Sequence, residues 1–141
     1  MSILPSGIYT IAKDNAQLSL EDHNEGALVY IVPSGDSDWK LETQSNSNVT
    51  IRDPETSKFL GFAESPHVNG QIIIEANNPI EWQLRQSPRP GFFFIVIPGG
   101  PVDGQELALD NSLIRVFPPR AALRPLDQSA NHQAWNLQSR Q

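Results

Sequence analysis

Pro118-Pro119-Arg120-Ala121 is the stretch of this chain best equipped for recognition chemistry. A trypsin-like protease needs a basic side chain to pair with the carboxylate at the base of its specificity pocket. A loop stiffened by proline loses less entropy on docking. The spacing predicts a loop over residues 118–132, with prolines at 118, 119 and 125, in which Arg120-Ala121 forms the P1–P1′ pair behind Pro119. Arg124 is the poorer P1 residue, because Pro125 follows it. A second candidate is Asn69-Gly70, which fits an asparagine-specific cysteine protease. It fits equally a type I′ hairpin turn, whose two central residues both take positive φ. His23, His67 and His132 fall at different places in turn-rich segments and read as solvated loop side chains, so no metal site is expected. Carboxylate pairs such as Glu21-Asp22 and Asp36/Asp38 lie in acidic loops, with no hydrophobic pocket in sight to raise one pKa. Gly-x-Ser-x-Gly, His-Glu-x-x-His and a phosphate-cradling glycine loop are all absent. No enzyme activity and no cofactor are expected. Asn48-Val49-Thr50 has the form of a glycosylation sequon but opens a predicted strand.

The elements that must position these residues are legible as a repeat. The three tryptophans sit in Trp39-Lys40-Leu41, Trp82-Gln83-Leu84 and Trp135-Asn136-Leu137, spaced 43 and 53 residues apart. Three short alternating apolar segments precede each one. The first unit offers Tyr9-x-Ile11, Leu18-x-Leu20 and Val29–Val32; the second offers Val49-x-Ile51, Phe59–Phe62 and Ile72–Ile74. The third offers Phe93–Val96, Leu107-x-Leu109 and Leu113–Phe117. Turn residues separate them: Asp14-Asn15, Asn24-Glu25-Gly26, Pro33-Ser34-Gly35, Asn69-Gly70, Asn77-Asn78-Pro79 and Pro98-Gly99-Gly100-Pro101. With 12 prolines and 9 glycines, no stretch supports a long amphipathic helix. Four strands in each of three units predict an all-β chain with the twelve strands of a β-trefoil, in one domain with repeats at about 5–44, 45–88 and 89–141. Period-2 alternation turns Trp and Leu of each triplet to the same inward face. An open β-sandwich would not explain the threefold repeat.

Composition narrows the function classes. At 141 residues the chain can bury a sizeable core, and it does so without cysteine, which rules out disulfides and thiolate chemistry. The net charge of −6 argues against a nucleic-acid partner. No apolar run approaches the roughly 20 residues that span a bilayer, so no membrane partner is expected. No basic-then-apolar leader is visible at the N-terminus, which points to the cytosol. The charge is uneven. Residues 1–84 hold 12 acids and 4 bases, whereas residues 85–141 hold 4 acids and 6 bases, all arginine.

Pro5-Ser6-Gly7-Ile8-Tyr9-Thr10-Ile11, Leu18-Ser19-Leu20-Glu21-Asp22, Val29-Tyr30-Ile31-Val32-Pro33 and Trp39 resemble mushroom β-trefoil protease inhibitors of the cospin and cnispin group. The mycocypins, which inhibit cysteine proteases, are similar in plan. That resemblance implies a reactive loop. Family members with a basic residue between strands two and three find no counterpart here, since Glu21–Ala27 lacks Lys and Arg. Those using the loop between strands eleven and twelve match Arg120 and Arg124. The asparagine that mycocypins direct at legumain lies between strands five and six, and Asn69 matches it only under a different strand count. The chain is also similar to ricin-B-like lectins, through Gln133-Ala134-Trp135 and the Gly7-x-Tyr9-x-Ile11 opening that fungal sugar-binding trefoils share. This second resemblance implies a sugar site in the third repeat, with Asp110 accepting from hydroxyls, Phe117 stacking on the ring and Asn131 and Gln133 bonding beside it. The expected function is protease inhibition, with glycan binding as the alternative.

Overall fold

The computed structural model describes residues 4–13, 16–33, 37–44, 46–62, 65–77, 79–98, 104–127, 129 and 131–139, without the side chain of Asn131. The turn residues Asp14-Asn15, Ser34-Gly35, Asn78 and Gly99-Gly100-Pro101 lie outside them. Twelve strands follow one another: β1 (Gly7–Lys13), β2 (Ala16–Leu20), β3 (Val29–Val32), β4 (Trp39–Thr43), β5 (Val49–Arg52), β6 (Phe59–Gly61), β7 (Ile73–Glu75), β8 (Glu81–Gln86), β9 (Phe92–Val96), β10 (Leu107–Asn111), β11 (Ala121–Pro125) and β12 (Trp135–Ser139). A 3-10 turn, Asn131–Gln133, precedes β12.

Six strands close on themselves. β1 pairs with β4, β4 with β5, β5 with β8, β8 with β9, β9 with β12 and β12 with β1, all antiparallel. Closure removes every edge from this barrel. The remaining strands form three hairpins, β2–β3, β6–β7 and β10–β11. Single bridges join each hairpin to the other two: Leu28 to Ile73, Tyr30 to Arg120 and Gln71 to Ala122. This is the β-trefoil arrangement.

The tryptophans explain why the sequence repeats. Each is fully buried, and each indole N–H donates to a carbonyl on the second strand of its own unit: Trp39 to Leu18 (3.0 Å), Trp82 to Leu60 (3.1 Å) and Trp135 to Leu109 (2.9 Å). A buried indole without that acceptor would leave its donor unsatisfied. So one residue type fixes barrel strand to hairpin three times over, around a core that includes Ile11, Leu41, Ile51, Ile74 and Ile95. The run Phe92–Val96 is apolar without alternation because β9 is covered on both faces. Phe93 and Ile95 enter the main core, while Phe94 and Val96 pack with Ala108, Ala134 and Leu126.

One strand differs from the sequence reading. Leu113–Phe117 was expected as strand eleven, but β11 is Ala121–Pro125, inside the stretch expected to be loop. Leu109 pairs with Leu123, and the small Ala121 and Ala122 are buried where the three hairpins meet. The β-branched and aromatic residues of 113–117 have the higher strand propensity, yet the pairing with β10 falls to the segment that buries Ala121 and Ala122.

Candidate functional site

Trefoil symmetry places three equivalent corners where the hairpin meets the residue two before each tryptophan. In the first repeat Ser37 Oγ accepts from the Leu20 N–H. In the second, Ile80 lies so close to Gly61 that a Cβ there would meet Ile80 Cγ1 at 2.7 Å. In the third, Gln133 Nε2 donates to Asp110 Oδ2 at 3.2 Å and to the Pro125 carbonyl at 2.8 Å, while its Oε1 accepts from the Asp127 N–H. Only the third corner pairs a carboxylate with an amide.

Asp110 is the hub of that corner. Lys13 Nζ, from β1, donates to Asp110 Oδ1 at 2.7 Å and to the His132 carbonyl at 2.6 Å, and lies 4.5 Å from the centre of the Trp135 ring. The Asn111 N–H also donates to Oδ1. Both side chains of this ion pair are buried, at 8% and 9% exposure. A carboxylate offers about four acceptor positions, and three are filled here. The position left is on Oδ2, 3.8 Å from His132 Nε2. Above the pair opens a shallow cleft of about 250 Å³ lined by Lys13, Asp110, Asn111, Ser112, Leu113 and His132. Asn111 Oδ1 is enclosed at this cleft without a hydrogen-bond partner.

The sequence-derived residues fare unequally. Asp110 and Gln133 do meet, but as mutual partners more than as exposed ligands. Phe117 is 84% exposed and does not line the cleft; the apolar wall is Leu113 instead. The side chain of Asn131 lies outside the described residues. Lys13, Asn111, Ser112, Leu113 and His132 were not foreseen. Lys13 carried no signal, because it lies 97 residues from Asp110 in the chain.

Ala121 opens β11 and Arg120 directly precedes it, so neither lies in the loop expected over 118–132. Arg120 is half-buried, Ala121 is 1% exposed, and the carbonyls of Pro119, Arg120 and Ala121 accept from the N–H groups of Ile31, Ser112 and Ile72. The carbonyl a protease would attack is thus held within the sheet, and Arg120 Nε is enclosed without a hydrogen-bond partner. Arg124, also in β11, donates to Asn69 Oδ1. Asn69-Gly70 is a turn, though not type I′. Asn69 has φ 69° and Gly70 N–H donates to the His67 carbonyl, which puts Asn69 third and Gly70 fourth. Gly70 is needed for close approach, since a Cβ would lie 3.0 Å from the His67 carbonyl oxygen.

His23 is less solvated than its loop implied. Its Nδ1 donates to the buried Asp53 Oδ2 at 2.6 Å, and Nε2 lies 3.4 Å from Glu55 Oε2. The bond to Asp53 chiefly raises the His23 pKa. Burial works to raise that of Asp53, but donors from Thr56, His23 and the Glu55 backbone outweigh it and hold the pKa low. These three side chains are the one group among the described residues whose ligand atoms lie close enough to share a cation. With both ring nitrogens facing carboxylates, they form an ion triad that fastens the β2–β3 loop to the turn after β5.

The fold defines a β-trefoil, and its third corner differs from the other two in pairing a carboxylate with an amide among the described residues. No protein-family model and no curated protein matches the chain. Among solved structures it is similar to the Rhizoctonia solani agglutinin (TM-score 0.80, 16% identity, 97% of each chain covered). It is also similar to a Macrolepiota procera ricin B-like lectin solved with lactose (TM-score 0.74, 19% identity, 99% of this chain and 100% of that one). The designed threefold-symmetric protein ThreeFoil is another (TM-score 0.78, 17% identity, 95% and 99% covered). At these identities the likeness establishes the fold.

Proposed function

We propose that the third-repeat cleft binds carbohydrate. The observation that carries this reading is the meeting, in one cleft, of Asp110 Oδ2, the partnerless Asn111 Oδ1 and two exposed side chains, Leu113 and His132. A sugar presents hydroxyls at its edge and C–H groups on its face, so it needs polar groups beside an apolar or ring surface. Asn111 Oδ1 is enclosed as placed, so a hydroxyl can donate to it only when the side chain turns toward the cleft, which would satisfy an acceptor otherwise costly to leave bare. The lectin and agglutinin among the structural neighbours support the same reading. Arg120, on which the expected protease inhibition rested, is half-buried beside β11.

Lactose, the sugar bound by the Macrolepiota procera lectin, is the first probe, followed by a panel of mono- and disaccharides. Titration calorimetry should detect binding that Asn111→Ala and His132→Ala each weaken about tenfold, the cost of a lost hydrogen bond or ring contact. Asp110 variants are unsuitable, because they would strand the Lys13 ammonium. If no sugar binds, or both variants bind like the wild type, the reading fails.

A further inference from the structure

The large apolar side chains left exposed among the described residues fall in one short segment: Leu113 (65%), Ile114 (51%), Val116 (39%) and Phe117 (84%). They occupy the β10–β11 loop. Its base is closed by the Asn111–Ala121 pair and by the Ser112 N–H donating to the Arg120 carbonyl. Its apex is tightened by the Val116 N–H donating to the Ile114 carbonyl across Arg115. Four such residues gathered at one loop tip, with the other described large apolar side chains at least partly covered, mark this tip as a candidate interaction surface.

Charge tells which surface they suit. The chain is acidic overall, yet residues 111–126 contain no Asp or Glu and three arginines, Arg115, Arg120 and Arg124. Arg115 is exposed at the apex, and Arg124 reaches Asn69 on the groove that Ile114 lines. Size points the same way. Four side chains offer at most a few hundred Å², against about 800 Å² per partner in a stable protein interface. A bilayer needs no matching shape, and each side chain can enter its boundary separately while arginine stays with the headgroups. We infer that this loop is a peripheral membrane anchor, inserting Ile114, Val116 and Phe117 into an anionic lipid surface with Arg115 at the phosphates. The absence of a membrane-spanning run does not bear on this, because a loop tip enters one leaflet only.

The test is co-sedimentation with phosphatidylcholine vesicles, with and without about one third phosphatidylserine. Wild type should bind the mixed vesicles, and Ile114→Ser/Phe117→Ser should lower the partition coefficient at least about tenfold. Arg115→Glu should abolish the preference for phosphatidylserine. None of the three residues lines the sugar cleft, so lactose binding should be unchanged in these variants, and the two proposals stand or fall separately. Equal sedimentation of wild type and the double variant would overturn the anchor, as would no binding at saturating lipid. Trypsin inhibition that disappears with Arg115→Ala, without vesicle binding, would also overturn it and assign the tip to a protein partner.

Discussion

At the scale of single residues, ionisable side chains fasten parts of the chain that are far apart in sequence. His23, in the β2–β3 loop, meets Asp53, which follows β5, and Lys58 Nζ donates to the His23 carbonyl from the same turn. The folded His23 pKa lies above its unfolded value, so the bridge is fully present below about pH 6.5 and is lost as pH rises through the folded value. The folded Asp53 pKa lies below its unfolded value, so its contribution is present above about pH 3.9 and fades as pH falls through the folded value. Both hold in mildly acidic solution. His23→Gln should therefore lower Tm more at about pH 5.5 than at about pH 8.5, read by thermal unfolding in matched buffers. An equal loss at both values would show that the imidazolium contributes nothing. Solvent screens this half-exposed ring, so a small gap is expected. The sequence showed His23 only as a histidine in a turn, because its partner is 30 residues away and nothing local marks it.

Among the elements, β11 separates pattern from packing. Leu113–Phe117 has the better strand composition, yet Ala121–Pro125 pairs with β10 along its whole length, from Asn111–Ala121 to Leu107–Pro125. Ala122 is buried and bridges Gln71 of the neighbouring hairpin. Ala122→Leu should overpack that meeting point and cost about 1–3 kcal/mol, whereas Phe117→Ala, at an exposed site, should change stability by less than about 0.5 kcal/mol. Urea denaturation of the two variants decides between the elements. The reverse order would restore Leu113–Phe117 as the strand. The same shift, of eight residues along the chain, leaves Arg120 half-buried beside β11 and Phe117 exposed at the tip.

For the whole molecule, the closed barrel makes the last strand as necessary as the first. β12 seals the ring between β1 and β9 and carries Trp135, whose indole also faces Lys13. A chain lacking Trp135–Gln141 should lose its near-ultraviolet circular dichroism and its cooperative unfolding transition. Survival of either would mean that the barrel stands open without β12. The Trp-x-Leu triplets, the period-2 segments and the turn residues determined by themselves that this is a threefold all-β chain. They are local signals, repeated three times, and each is dictated by burial of one face of a strand. Eleven of the twelve strands were legible this way. Of the residues lining the proposed cleft, Asp110 is one that the sequence pointed to, and Gln133 is its hydrogen-bond partner. The cleft is made by Lys13 from the first strand, Asn111 and Leu113 from a hairpin and His132 before the last strand. Closure of the barrel brings Lys13 beside Asp110, and the segment that becomes strand is the one whose small Ala121 and Ala122 are buried where the hairpins meet. Those are properties of distance and volume in the folded chain, which residue types and spacing do not encode.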